Sequence, residues 1–147
     1  MNMSHHAPLA TGQCLCGSVC FSVSAVPRFV ANCHCSLCRR AHGAEFVTWA
    51  GVQEDGFQIT MDHGTLKDFQ SSPEAIRQFC SKCGSPMFFR SRKWPGEIHV
   101  ALALIAEPHS LKPNADVFWD DRACWHDPHG IRQILGGDSG TEPKGYP

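Results

Sequence analysis

The sequence has neither an excess of charge of one sign nor a long apolar run. Its 147 residues include 13 Lys and Arg against 14 Asp and Glu, a formal net charge of -1 at pH 7. A balance this close to neutral provides no basic surface for nucleic acid or for an anionic membrane. No apolar stretch approaches the roughly 20 residues that a membrane-spanning helix requires. We therefore expect neither nucleic acid nor a membrane among its partners.

A secretory signal is also missing from the N-terminal residues. They contain neither the basic nor the apolar segment of a signal peptide, so we expect a cytoplasmic protein. The length is typical of one domain, which we place at residues 11–135. Residues 1–10 lack hydrophobic periodicity and residues 136–147 are rich in glycine, so both ends are expected to be flexible extensions.

Long helical patterns are absent as well, and short strand patterns take their place. Apolar and polar residues alternate in several short runs, which turn-forming residues separate. Strands are predicted at residues 19–23, 46–49, 57–60, 66–69, 76–79, 87–89, 98–104 and 116–119, with one helical turn at 36–42. The pattern predicts an all-β domain.

Cysteine is the residue that the sequence has in excess. Nine are present, an odd number that argues against a set of disulfides in a chain without an export signal. Seven of them fall into three tight clusters, which are Cys14/Cys16, Cys33/Cys35/Cys38 and Cys80/Cys83. Neighbouring thiolates in one turn can bind a single ion, so the spacing predicts a zinc protein. The two others, Cys20 and Cys124, are interpreted as ordinary thiols.

Two of the clusters have the same form, a close pair of cysteines followed by a glycine. Gly17 and Gly84 allow the backbone to curl around a metal. Two pairs supply four thiolates, the ligand set of a closed structural zinc site. The predicted ligands are Cys14, Cys16, Cys80 and Cys83. The alternative is two unrelated pairs of buried thiols.

The middle cluster offers three cysteines and no fourth nearby. Three protein ligands leave one coordination position of zinc open to water or substrate, so Cys33, Cys35 and Cys38 are interpreted as a functional zinc site. A closed site with His42 as the fourth ligand is the alternative, and Cys20 could complete either site. His34 lies between two ligands and should point away from the metal.

A pair of basic residues, Arg39 and Arg40, follows the middle cluster directly. Their charges can offset the negative charge of a zinc ion bound by three thiolates, and a guanidinium can bind a carboxylate of a ligand. The alternative is a solvated basic pair at the end of a helix.

The flanks of the clusters extend these motifs. They read Gly-Gln-Cys-Leu-Cys-Gly-Ser-Val at 12–19, Cys-His-Cys-Ser-Leu-Cys-Arg-Arg at 33–40, Arg-Gln-Phe-Cys-Ser-Lys-Cys-Gly-Ser-Pro at 77–86, and Glu-Pro at 107–108. In this order they resemble the glutathione-dependent formaldehyde-activating enzyme family, which also includes centromere protein V. The resemblance covers roughly residues 12–125.

The resemblance implies a zinc-clamped β-tent, in which two small antiparallel sheets meet at an angle. It also implies two zinc ions, a structural one on the four-cysteine set and a functional one on Cys33, Cys35 and Cys38. The implied activity is that of a carbon–sulfur lyase-type enzyme similar to S-(hydroxymethyl)glutathione synthase, which joins glutathione and formaldehyde. Arg39 and Arg40 are then candidates for glutathione contacts. The alternative is a non-enzymatic glutathione carrier or a zinc-stabilised binding module.

The sequence departs from the family toward its C-terminus. Residues 116–119 read Asp-Val-Phe-Trp, where the family commonly carries His-Ile-Phe-Val. The departure leaves both cysteine sets intact and concerns the region in which a substrate pocket could be completed.

Overall fold

The structure is a computed structural model and describes residues 8–129 of the chain. Residues 1–7 and 130–147, which include most of the predicted extensions, lie outside it. The strands are β1 (Ala10–Gln13), β2 (Val19–Val23), β3 (Phe29–Cys33), β4 (Val47–Gln53), β5 (Phe57–Asp62), β6 (Leu66–Ser72), β7 (Ala75–Cys80), β8 (Pro86–Ser91), β9 (Glu97–Ala101) and β10 (Ala115–Val117). One α-helix, α1, spans Ser36–His42. None of the helices in residues 8–129 is long and apolar enough to cross a membrane.

The strands form two sheets, which confirms the prediction of an all-β fold. The smaller sheet has the order β1-β2-β5, and the larger has the order β10-β3-β4-β9-β8-β7-β6. Neighbouring strands are antiparallel except at one edge, where β10 runs parallel to β3. The larger sheet is therefore wider than the small antiparallel sheet that the resemblance implied, and its parallel edge was not predicted.

The main core lies between the two sheets. In β2, alternate residues Val19, Phe21 and Val23 are buried, as the period-two pattern predicts. Phe21 packs edge-to-face on Phe88 of the larger sheet, with ring centroids 5.2 Å apart. Phe57 of β5 stacks on Phe21 at 5.8 Å. These contacts hold the smaller sheet against one face of the larger one.

The opposite face of the larger sheet carries a second apolar layer. Phe89, His99 and Gly51 stand opposite one another on β8, β9 and β4, and Phe29 of β3 continues the row. Gly51 is needed in this row because a Cβ atom there would lie 2.1 Å from the Phe29 ring. Trp49, two residues before Gly51, is on the same face and buried. This face supports the cavity described below.

The helix has the bounds that the sequence predicted. Cys35 caps its start, because the Cys35 sulfur accepts a hydrogen bond from the backbone N–H of Cys38 at 3.3 Å. Gly43 ends it in the left-handed conformation, with φ of 57°, and its N–H bonds to the carbonyl of Arg39.

Other local predictions differ from the structure. Strands β1 and β3 were not predicted. The predicted strand at 98–104 ends at Ala101 and continues as the 3₁₀ turn Leu102–Leu104. The predicted strand at 116–119 stops at Val117, because Phe118 takes a positive φ of 56° and the 3₁₀ turn Trp119–Asp121 follows.

Candidate metal centres and the adjoining cavity

The structure brings the four predicted structural ligands together where the two sheets meet. Cys14 and Cys16 follow β1, Cys80 ends β7, and Cys83 lies in the turn before β8. Their four sulfur atoms all lie within 4.8 Å of one another. The sulfurs of Cys14 and Cys16 are 3.7 Å apart, and those of Cys16 and Cys80 are 3.9 Å apart. Four sulfurs around zinc at about 2.3 Å are separated by about 3.8 Å in tetrahedral geometry, so this set fits the ion.

The two loops of the four-thiol cluster have related backbone turns. The N–H of Gly17 bonds to the carbonyl of Cys14 at 3.0 Å, and the N–H of Gly84 bonds to the carbonyl of Cys80 at 2.7 Å. Both glycines have positive φ, of 76° and 79°, as the sequence predicted. Hydrogen bonds from the side chain and backbone of Ser85 lower the pKa of Cys83 to about 5. The loop thereby favours the thiolate that a metal requires.

The three thiols of the middle cluster also converge. Cys33 ends β3, Cys35 precedes α1, and Cys38 lies in its first turn. Their sulfurs lie within 4.8 Å of one another, and no further His, Cys, Asp or Glu of residues 8–129 joins this set. The His42 imidazole instead packs edge-on against Trp49, with ring centroids 5.2 Å apart. The arrangement agrees with a three-ligand set that leaves a position open, and the chemistry of three thiolates suits zinc.

An arginine that sequence reasoning did not single out reaches this cluster from β7. The two terminal nitrogens of Arg77 lie 3.7 and 3.6 Å from the sulfur of Cys38. Hydrogen bonds from Cys33 and Cys35 lower the pKa of Cys38, and the positive charge of Arg77 lowers it further. Arg77 occurs in one of the matching motifs, but nothing in the sequence indicated that its side chain meets a thiol 39 residues away.

Arg39 and Arg40 do not line the cavity onto which the three thiols open. The guanidinium of Arg39 lies over the ring of Trp125, 5.9 Å from its centroid. Arg40 is exposed and lines a second, smaller cavity, to which Arg77 also contributes. The glutathione contacts predicted for Arg39 and Arg40 stay a prediction, and the cations that line the larger cavity are Arg77 and Lys93.

The cavity has a volume of about 660 Å³, which is within the range of small-molecule sites. The three thiols and Arg77 form one part of its wall. A second part is aromatic, and consists of Phe29, Trp49, Phe89 and Trp94. Three acidic residues, Glu74, Glu97 and Asp121, complete the charged lining.

One histidine lies in the aromatic wall. His99 is buried, and its Nε2 is 3.3 Å from Oε2 of Glu97. Arg28 in turn contacts the other oxygen of Glu97 at 3.3 Å. Burial lowers the pKa of His99 below its usual value, with Glu97 opposing the shift, so the imidazole is held neutral near pH 7. Sequence reasoning missed this residue because it lies in an ordinary alternating strand.

His34 points away from the thiols, as predicted, and anchors the C-terminal edge strand. Its ring is completely buried, and Nε2 lies 2.9 Å from Oδ1 of Asp116 in β10. Asn32 donates a second hydrogen bond to the same oxygen at 3.1 Å. The hydrogen bond to His34 also lowers the pKa of Asp116. The aspartate at the position where the family commonly has histidine therefore fastens β10 beside Cys33.

The residue after this strand is held in a rare backbone conformation. Phe118 has φ of 56° and ψ of 43°, and such a conformation costs a bulky residue on the order of 1–3 kcal/mol. Its side chain lines the cavity and is 57% exposed. Local strain of this kind is concentrated at functional sites.

Together, the fold and the site define a class of small two-sheet β-proteins that carry a four-thiol and a three-thiol cluster. The chain belongs to the glutathione-dependent formaldehyde-activating enzyme family, whose model matches residues 9–121. The prediction from sequence motifs is thus confirmed at the level of the family.

Two curated relatives agree with a lyase-type enzyme. A protein of Halomonas elongata, provisionally named a glutathione-dependent formaldehyde-activating enzyme, is 31% identical over 98 residues, which are 62% of either chain. The match thus spans less than two thirds of that relative. An uncharacterized lyase of Schizosaccharomyces pombe is 22% identical over 120 residues, 82% of this chain and 85% of the relative.

A solved structure supports the fold. The crystal structure of a Rhodobacter sphaeroides protein resembles this chain with a TM-score of 0.59 and 26% sequence identity. The match covers 72% of this chain and 98% of that protein.

Proposed function

We propose that the protein is a zinc-dependent carbon–sulfur lyase-type enzyme that joins glutathione to formaldehyde as S-(hydroxymethyl)glutathione. The observation that carries the proposal is the convergence of the Cys33, Cys35 and Cys38 sulfurs within 4.8 Å in the wall of a cavity of about 660 Å³. The family name and the lyase name of one relative support it.

Cys33, Cys35 and Cys38 would hold the functional zinc ion, which when bound supplies a site that acidifies a thiol. In the reaction, the sulfur of glutathione bonds to the carbonyl carbon of formaldehyde. The π electrons of the carbonyl group move to its oxygen, which receives the proton that the thiol loses. The four cysteines at the sheet junction would hold the second, structural zinc ion.

The charged residues of the cavity suit glutathione, which has two carboxylates and one ammonium group. Arg77 and Lys93 offer positive charge, and Glu74 and Asp121 offer negative charge. Arg77 also stacks over Phe89, with its guanidinium carbon 5.0 Å from the ring centroid, so its orientation is fixed between the thiols and the aromatic wall. A thiolate at Cys38 is stabilised by this guanidinium.

The neutral His99 imidazole is placed to exchange a proton with a bound ligand, since it is buried in the same wall and oriented by Glu97. The reaction also requires reduced thiols on protein and substrate. A reducing compartment such as the cytoplasm is therefore part of the proposal.

The test is the rate of adduct formation from glutathione and formaldehyde, above the uncatalysed rate. Wild type, Cys35→Ser and the matched variant Cys124→Ser, whose thiol is exposed and lies outside both clusters, are compared. We expect activity in wild type and in Cys124→Ser, and a loss in Cys35→Ser. Glutathione binding without any rate above background would reject the enzyme in favour of a glutathione carrier.

A further inference from the structure

The cavity is larger and more apolar than an adduct of formaldehyde requires. Formaldehyde adds a single hydroxymethyl group to the sulfur of glutathione. The cavity of about 660 Å³ has an apolar lining over most of its surface beyond the thiols. Neither glutathione nor formaldehyde has an apolar group that would pack against this aromatic wall.

The aromatic wall begins beside the reactive thiols. Trp49 packs with Cys33 and Cys38 in one buried cluster, and its ring is 6.1 Å from that of Phe89. The Phe89 ring is followed by Trp94 at 6.2 Å. A group attached to a sulfur at the three-thiol cluster would therefore extend along Trp49, Phe89 and Trp94.

Several apolar side chains at the rim of the cavity are exposed and do not pack in the core. Leu37 is 51% exposed, Trp94 is 42% exposed and Phe118 is 57% exposed, and all three line this cavity. Val117, also exposed, lies beside Phe118. Phe118 is held there despite its unfavourable backbone conformation. Exposed apolar groups that gather at one opening mark a binding surface.

We infer that the protein acts on glutathione adducts of apolar aldehydes, with an alkyl chain or an aromatic ring, in preference to the formaldehyde adduct. The inference rests on the proposed function and names the substrate class of that same site. The step is again addition of the thiol across the carbonyl group. One carbon–sulfur bond forms, the carbonyl π bond breaks, and the thiol proton ends on the oxygen.

Stable analogues test the inference without turnover. S-methyl-, S-hexyl- and S-benzylglutathione carry the glutathione part unchanged and cannot decompose to an aldehyde. Their dissociation constants are measured by calorimetry on the zinc-loaded full chain. Each methylene group that is buried contributes about 0.8 kcal/mol, or about fourfold in affinity, so partial burial of a hexyl chain predicts at least about tenfold tighter binding than S-methylglutathione.

Two tryptophan variants show where the preference arises. Trp94→Ala removes a ring from the cavity, and we expect the advantage of the hexyl analogue to fall to about twofold. Trp125→Ala is the matched control, because Trp125 is 66% exposed and does not line the cavity. We expect it to keep the wild-type preference.

The outcomes separate the inference from the proposed function. Equal affinity for the methyl and hexyl analogues would overturn the inference and leave glutathione binding intact. The same preference in Trp94→Ala as in wild type would also overturn it, since the apolar group would then lie elsewhere. Failure of every analogue and of glutathione to bind would reject the proposed function itself. With turnover, adducts of hexanal or benzaldehyde should form faster than that of formaldehyde relative to background.

Discussion

Loss of the four-thiol cluster should destabilise the fold. The amount follows from the length of the loop that a metal ion bound to the cluster would close. We choose the double variant Cys16→Ser/Cys83→Ser. Cys14 and Cys80 are fully buried in the core, so their replacement would also disturb packing, whereas Cys16 is exposed and Cys83 is partly exposed. The double variant leaves one thiol on each loop and cannot form the four-ligand site.

The magnitude comes from the entropy of the unfolded chain. A metal that bridges Cys16 and Cys80 connects residues 64 positions apart. Treated as a cross-link, it lowers the entropy of the unfolded chain by about 14 cal/mol/K, or about 4 kcal/mol at 25 °C. A shift of this size lowers the midpoint of thermal unfolding by about 8–16 °C in a domain of this length.

The assay combines unfolding with metal analysis. The free energy of unfolding is measured in denaturant for wild type, the double variant and Cys124→Ser, each with and without a chelator. We expect the double variant to hold one metal ion fewer than wild type and, when chelator is present, to unfold like chelated wild type. Cys124→Ser should match wild type, because its thiol belongs to neither cluster.

If the double variant holds one metal ion fewer and its free energy of unfolding is still within about 1 kcal/mol of wild type, the four-thiol site does not stabilise the fold as proposed. A double variant with an unchanged metal content would refute the assignment of the ligands.

Three further predictions concern the cavity and its surroundings. Arg77→Met removes the positive charge beside Cys38, so the pKa of that thiol should rise. Since a charge-assisted hydrogen bond contributes about 1.5–3 kcal/mol, the pH midpoint for alkylation of Cys38 in metal-free protein, followed by mass spectrometry, should rise by about 1–2 pH units. Asp116→Ala removes the acceptor of His34 and should lower the free energy of unfolding by about 1 kcal/mol. It should also speed the transfer of metal from the three-thiol cluster to a coloured chelator. Burial holds the pKa of His99 below 6.5, so the unfolded chain binds a proton more readily than the folded one. Stability should therefore be full above about pH 6.5 and fall as the pH decreases below it, and His99→Gln should flatten this dependence in denaturant midpoints between about pH 7 and pH 5.

Each of these predictions has a control on the exposed surface. The controls are Lys67→Met, Asp68→Ala and His63→Gln, in the order of the predictions. Asp68 accepts a hydrogen bond of 2.9 Å from Gln78 and belongs to neither thiol cluster, so its variant loses a similar contact without removing a group at a cluster. In the same order, the predictions are contradicted by an unchanged pH midpoint of alkylation, by unchanged metal transfer and by an unchanged slope of stability with pH.

Local signals made part of this structure predictable from sequence. The helix at Ser36–His42 follows from a cysteine that caps its start and from Gly43, which ends it. The cysteine sets follow from spacing, because ligands of one metal lie on short turns. Strand β1 has no such signal: its one buried residue is Gly12, and the absence of a side chain there makes room for the Phe21 ring.

The groups around the three thiols depend on contacts between distant residues. Arg77 lies 39 residues further along the chain than Cys38. It reaches Cys38 because it stands on the face of the larger sheet that carries Phe89 and His99 and lines the cavity. His34 and Asp116 are 82 residues apart and meet because β10 pairs with β3. Neither pairing leaves a periodic pattern, so single-sequence reasoning had no means to place these side chains.

The parallel pairing of β10 with β3 has a consequence for the protein during its synthesis. Asp116 leaves the ribosome 82 residues after His34, which at about 5–20 residues per second is a delay of about 4–16 s. For that interval β3, which ends at Cys33, has no strand paired at this edge. A nascent chain that stalls before residue 115 would therefore leave this edge of β3 unpaired and lack the part of the cavity wall that Ala115 and Val117 form.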